Sequence, residues 1–192
     1  MNKKTELIEI KKDKTGTGLL IENDGFVQLN KETLNEDIKD NKWNCPYPFI
    51  VDAVFQKFDI KNANGRIYPE KVLKKQVEIY QEKIKEHRAY GECNHPAEST
   101  IDLGRISHNI IELHWEGHTL VGKMELNITE GFRRNGICTS YGDTIANMLI
   151  NGYKLGVSSR GVGSVEEKLG QYIVGDDFEL ICWDVVSDPS TP

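Results

Sequence analysis

The stretch Gly156-Val157-Ser158-Ser159-Arg160-Gly161-Val162-Gly163 has the residue types for acyl chemistry. It reads as a short strand running into a glycine-rich bend. Glycine permits close backbone approach and positive φ without a Cβ penalty, so a serine beside such a bend can be an exposed nucleophile. An arginine two residues on can position a carbonyl or an oxyanion. The competing reading is a polar hairpin with a surface arginine. Along a strand, Leu155, Val157 and Ser159 share one face while Gly156, Ser158 and Arg160 share the other. The apolar first face is the one expected against the core. Ser158 is therefore favoured over Ser159 as the reactive hydroxyl, and Ser159 is expected to bond the backbone near the bend.

A serine nucleophile needs a base and a group to orient that base. His95 is the first candidate: Pro96 holds it extended, and Gly91 allows a close backbone approach four residues earlier. The competing reading is a loop histidine on the surface. Asp184 is the candidate acid. Phe178, Leu180, Cys182, Asp184 and Val186 alternate onto one face of a strand, and a buried carboxylate is costly unless paired. Either a histidine pairs it, or the strand twists out of the core and Asp184 is solvated. Serine, histidine and carboxylate together would form a nucleophilic triad. Cys93 and Cys138 are alternative nucleophiles, but no glycine bend adjoins Cys93. The histidines show no ligand spacing on a common element, so no metal or other cofactor is expected.

These residues must be positioned by a chain of 192 residues, enough for one ordinary domain with a real core. A net charge of -6 argues against a nucleic-acid partner held by a basic surface. No apolar run approaches the ~20 residues that span a bilayer, and the first residues lack the apolar core of a secretory signal. The four cysteines are scattered with no Cys-x-x-Cys pair, as expected of reduced thiols. Residues 1–48 are the least regular, with a basic turn over Lys11 to Gly18. Phe49 to Phe58 reads as the first strong strand. Pro69 opens a helix whose Val72, Leu73, Val77, Tyr80 and Ile84 share a face. Arg105 to Trp115 and Thr119 to Leu126 form a hairpin about Glu116-Gly117. A second helix runs from Thr139 to Asn151 and ends at Gly152. Val165 to Lys168 pairs with Gln171 to Val174 around Gly170, and Phe178 to Val186 is the last strand. Mostly strands with two helices inserted imply an α+β fold, an antiparallel sheet or barrel with helices packed on it.

Three segments occur in a specific order: Asn64-Gly65-Arg66-Ile67-Tyr68-Pro69, Gly91-Glu92-Cys93-Asn94-His95-Pro96 and Gly156-Val157-Ser158-Ser159-Arg160-Gly161-Val162-Gly163. Together they resemble the prohead core proteases of large contractile-tailed bacteriophages, serine proteases with a fold similar to the herpesvirus assemblins. The resemblance covers roughly residues 49 to 190, so residues 1–48 are set apart as an N-terminal segment and 49–192 as the protease domain. It implies that His95 is the catalytic histidine and Ser158 the nucleophile. Ser159, Arg160 and Gly161 would stabilise the oxyanion or position substrate. Assemblins use a second histidine as third member; Asp184 stands at a similar interval here, with Asp102 the runner-up. The family cleaves scaffold, core and capsid proteins after Glu in a Leu/Ile-x-Glu motif. That implies such proteins as substrates, a homo-oligomer, and a place inside the viral prohead in the host cytoplasm, without nucleic-acid or membrane partners. Leu7-Ile8-Glu9, Leu20-Ile21-Glu22 and Ile110-Ile111-Glu112 are such motifs in this chain. Residues 1–9 are expected to be an inhibitory propeptide removed by self-cleavage after Glu9. A Glu at the cleavage point needs a basic partner, with Arg160, Arg105 and Lys154 the candidates. The alternative function is a non-catalytic viral structural or scaffold subunit on a related fold.

Overall fold

A computed structural model describes residues 8–29, 43, 45–96 and 98–187. The strands are β1 (Gly16–Gln28), β2 (Ile50–Lys57), β3 (Arg66–Ile67), β4 (Tyr90–Glu92), β5 (Ile106–Glu116), β6 (Thr119–Leu126), β7 (Gly156–Lys168), β8 (Gln171–Val174) and β9 (Glu179–Val186). The helices are α1 (Glu70–Lys85), α2 (Glu130–Asn135) and α3 (Tyr141–Ile150). The class is α+β. One sheet runs in the order β3-β8-β7-β1-β2-β6-β5-β4, and β9 pairs with Gly156 to Val162 of β7 on the edge opposite β1, which β8 occupies farther along. The ring closes where Cys93 bridges Val185 and the Asn94 N–H donates to the Val185 carbonyl at 2.8 Å. Apart from that bridge, adjacent strands of the ring are antiparallel.

Because β4 is only three residues long, most of β5 and β9 face a gap in the ring. Helix α1 spans it, as its apolar spacing requires. Val72, Leu73, Val77 and Tyr80 are buried, and Tyr80 packs edge-on against Trp183, which in turn meets Phe55. Exposed strand edges need their backbone groups satisfied, and α1 supplies the partners. Gln76 Oε1 accepts from Leu180 N–H at 3.0 Å, Lys83 Nζ donates to the Ile181 carbonyl at 3.0 Å, and Gln81 Nε2 donates to the Leu113 carbonyl at 3.2 Å.

Three features differ from the sequence reading. First, the expected irregular N-terminal segment contains β1, which pairs with β7 along Gly16 to Phe26 and with β2 along Phe26 to Gln28. The division expected at residue 48 thus runs between two neighbours in one sheet. Second, α2 is an additional short helix, capped by Thr129 and ended by Gly136 at φ 70°. Third, Gly156–Lys168 is one continuous strand, whose only departure at the expected bend is a register shift against β9 between Arg160 and Gly161. Its glycines make room: a Cβ on Gly161 would meet the Phe178 ring at 2.4 Å, and one on Gly163 would meet Phe178 Cα at 2.9 Å. Glycine within a strand commonly marks such an approach. Residues 1–7, 30–42 and 188–192 lie outside the described residues, and with them most of the expected propeptide and the charge-rich stretch from Lys31 to Lys42.

The Asn64-to-Pro69 motif has a clear structural task. It closes around Glu22 of β1, which is fully buried. Glu22 Oε1 accepts from Arg66 Nη1 and from Tyr68 OH at 2.8 Å; Oε2 accepts from Asn62 and Asn64 Nδ2, each at 2.8 Å. The second Arg66 nitrogen donates to the Ile10 and Lys11 carbonyls, which ties the segment before β1 to the same cluster. Removing one member of a buried pair leaves the other charge uncompensated, at about 3–5 kcal/mol. Arg66→Met is expected to lower the stability in chemical denaturation by about that amount, whereas substitution of the exposed pair Lys74 and Glu70 changes it by under about 1 kcal/mol.

Candidate active site

Ser158 of β7 lies directly across from Asp184 of β9, and Arg160 lies across from Cys182. Cross-strand partners share a face, so these four side chains form one patch. Ser159 pairs instead with Trp183 and with Glu22, on the opposite face. The alternation of the two serines is as expected, but both faces of β7 are buried here, so the expected contrast between a core face and an open one is absent. Ser159 Oγ, however, is buried with no hydrogen-bond partner and does not bond the backbone as expected.

His95 reaches this patch from the seam between β4 and β9. Gly91 is required there, because a Cβ would lie 2.2 Å from His108 Nε2 and 2.2 Å from the Trp183 carbonyl. Register shifts after Gly91, and the Glu92 N–H donates to Asp184 Oδ1 at 3.0 Å. Cys93 then bridges to Val185, and Asn94 turns the chain at φ 64°. The turn delivers His95 Nδ1 to 3.0 Å from Asp184 Oδ2. His95 remains partly accessible, with 14% of its side chain exposed, while Asp184 is fully buried. Asp102 does not contact His95. Its carboxylate accepts from the Gly104 N–H at 2.8 Å and caps the 3₁₀ turn Leu103–Arg105.

The guanidinium of Arg160 occupies the middle of the patch and is fully buried. Nε lies 3.0 Å from Asp184 Oδ2, Nη2 lies 3.3 Å from Glu92 Oε1, and Nη1 donates to the Glu98 carbonyl at 2.7 Å. Burial opposes its charge, but the Cys182 sulfur, Asp184 and Glu92 outweigh that and hold it protonated. Its side chain is thus engaged with protein carboxylates, and Gly161 is a strand residue beside Phe178. Burial also tends to raise the pKa of Asp184, yet the His95 hydrogen bond, the Arg160 charge and the Glu92 N–H together bring it below the usual carboxylate value. Asp184 is therefore an anion at neutral pH. It accepts the Nδ1 proton of His95 and leaves Nε2 as the nitrogen that can exchange a proton.

Two residues of the site were not assigned by the sequence reading. Glu92 lies inside the motif that carries His95; buried, it receives the Asp102 N–H at 2.6 Å as well as Arg160. Asn23, whose Oδ1 lies 3.4 Å from His95 Nε2, comes from β1, the strand the reading missed. The cysteine alternatives are poor nucleophiles. Burial raises the pKa of both Cys93 and Cys138, which keeps them as thiols. Among the described residues no group of three or more His, Cys, Asp or Glu side chains is arranged to hold a metal ion.

Positions 12–192 match the family described as prohead core protein serine protease. The chain is 32% identical over 145 residues to the prohead core protein protease of Enterobacteria phage T4, which covers 74% of this chain and 65% of that protein. The chain thus spans just under two thirds of that relative's length. The solved structure of the bacteriophage T4 capsid assembly protease, gp21, shares its fold with a TM-score of 0.72 at 25% identity, covering 90% of this chain and 99% of that one. With a match over nearly its whole length and this fold, the chain belongs to the prohead core protein serine protease family.

Proposed function

We propose that this protein is the serine endopeptidase of prohead maturation, which cleaves scaffold, core and capsid proteins after Glu in Leu/Ile-x-Glu motifs. The observation that carries the reading is the His95–Asp184 hydrogen bond of 3.0 Å, with Ser158 directly across from Asp184 on the next strand. In the mechanism, Asp184 holds the Nδ1–H tautomer of His95, and Nε2 takes the proton from Ser158 Oγ as that oxygen attacks the scissile carbonyl. His95 then returns the proton to the leaving amine. Water, activated in the same way, releases the new carboxylate and restores Ser158.

Self-activation is part of the proposal. Of the chain's Leu/Ile-x-Glu motifs, Leu20-Ile21-Glu22 has its carboxylate locked in the Arg66 cluster, Ile110-Ile111-Glu112 lies within β5, and Ile84-Lys85-Glu86 and Ile128-Thr129-Glu130 border α1 and α2, while Leu34-Asn35-Glu36 lies outside the described residues. We assign self-cleavage to Leu7-Ile8-Glu9, the motif nearest the N-terminus. There the Leu19 N–H donates to the Ile8 carbonyl at 3.0 Å, and the Ile10 N–H donates to the Leu19 carbonyl at 2.9 Å. Cutting after Glu9 requires this short arm to lift off β1 first. Arg160 is committed to Asp184 and Glu92, which leaves Arg105 and Lys154 to read the substrate's Glu. We favour Arg105, whose side chain is 32% exposed and whose Nη2 donates to the carbonyl of Cys93, two residues before His95.

Incubation with a peptide containing Leu-Ile-Glu, followed by mass spectrometry of peptide and protein, tests the reading. Cleavage after Glu is expected in the parent, and about 10⁴-fold slower or undetectable cleavage in Ser158→Ala and His95→Ala. Equal cutting by Ser158→Ala would assign the activity to another residue. No cutting by any form, including one lacking residues 1–9, would favour a non-catalytic subunit.

Asp184→Asn is expected to slow cleavage by about 10³- to 10⁴-fold, because an amide donor at Nδ1 places the ring proton on Nε2. It also carries a pH signature. The lowered folded-state pKa of Asp184 contributes stability that is full above about pH 4 and is lost as pH falls through that lower value. The stability gap between parent and Asp184→Asn, measured by denaturation from pH 7 to pH 2, should therefore close at the acid end.

A further inference from the structure

Asn23 stands where β1 shifts register against β7, between Glu22 and Gly25. Such irregularities re-aim a side chain. The residue before it, Glu22, is fixed by Arg66, Tyr68, Asn62 and Asn64, so the backbone that presents Asn23 is firmly anchored. The Asn23 amide oxygen lies 3.4 Å from His95 Nε2, while Nδ1 lies 3.0 Å from Asp184. Both ring nitrogens of His95 are thus engaged. Ser158 Oγ, fully buried, has no hydrogen-bond partner.

We infer that Asn23 parks His95 in the resting protein. Its side-chain amide is the hydrogen-bond partner of Nε2, and the nucleophile is activated only when Nε2 gives up that partner and turns to Ser158 Oγ. The inference rests on the serine-protease reading above. While Nε2 is so engaged it cannot take a proton from serine. Asn23 is a positioning residue in this account: it acts on the base and does not touch substrate. The other charged or titratable groups about the ring are Asp184 and Cys182 on β9, Arg160 on β7, Glu92 on β4, and Arg105 beside Cys93. All of them are unchanged by substitution at Asn23.

The test is the rate of Ser158 modification by a fluorophosphonate probe, followed from pH 5 to pH 9 in the full chain, with Ser158→Ala as the blank. In this reaction Ser158 Oγ bonds to phosphorus, fluoride leaves, and His95 takes the hydroxyl proton. Asn23→Ala removes the parking partner. It is expected to label about three- to tenfold faster at pH 7, the scale of one hydrogen bond. Asn23→Asp keeps the size of the side chain and adds a negative charge beside Nε2, which favours the protonated ring. It is expected to label more slowly, with the half-maximal rate moved to higher pH. These opposite changes in rate, with the midpoint moved in Asn23→Asp, would support the parking role. Slower labelling in both variants without movement of the pH midpoint would mean that Asn23 serves only the local structure, and would overturn the inference while leaving the protease reading intact. Should Asn23→Ala melt well below the parent, Asn23→Asp alone decides, and an unchanged midpoint overturns the inference. Absence of Ser158 labelling in the parent at every pH would overturn the serine-protease reading and this inference with it.

Discussion

One buried guanidinium organises the site. Arg160 projects from β7 into a patch without solvent and meets two carboxylates, Asp184 from β9 and Glu92 from β4, together with the Glu98 carbonyl. Taking one cation and two anions out of water costs several kcal/mol per ion, and their attraction offsets this only when the remaining hydrogen-bonding positions are filled. Here backbone groups fill some of them: the Glu92 N–H bonds Asp184, and the Asp102 N–H bonds Glu92 Oε1, while Glu92 Oε2 has no hydrogen-bond partner among the described residues. The three guanidinium contacts join three different segments to β7. The cluster therefore fixes the seam at which the ring of strands closes, and His95 is delivered from that seam. A well-packed apolar cluster could hold such a seam at less cost, so its ionic character is better explained by chemistry than by stability.

A second buried charge cluster lies behind the first. Glu22 faces Ser159, and Arg160 faces the other way, so consecutive residues of β7 look toward opposite clusters. The Arg66 side of this pair also grips Ile10 and Lys11, and the chain next to Glu22 presents Asn23 to His95. The two motifs that looked unrelated in the sequence, one around Arg66 and one around His95, thus act on the same short stretch of β7 from its two faces.

Much of this was legible in the residues, and the misses have physical causes. The α1 stripe and the β5–β6 hairpin follow from periodicity, because burial on one side imposes it, whereas β7 is buried on both faces at Ser158 and Ser159. The cost of a buried carboxylate points to a histidine partner for Asp184, but its place opposite Ser158 depends on a register set by pairing over a long sequence separation. β1 escaped notice because Gly16, Gly18, Glu22, Asn23 and Gly25 break its alternation, and its stability comes from β7 and β2, both far along the chain. The glycines of β7 read as a bend because composition cannot show that Phe178 needs their missing Cβ atoms. The burial of Arg160 between two carboxylates was not legible because those partners come from strands that only the fold brings together.

The central claim is that the Arg160 cluster holds the His95–Asp184 hydrogen bond. Proton NMR of the ring-nitrogen hydrogens tests it, since a histidine Nδ1–H held by a carboxylate resonates far downfield. The account predicts such a signal in the parent, its absence in Asp184→Asn, and its loss or clear upfield movement in Arg160→Met under conditions where that variant remains folded. A signal in folded Arg160→Met with the position and intensity of the parent would show that the histidine–aspartate pair stands without the guanidinium, and would contradict the account.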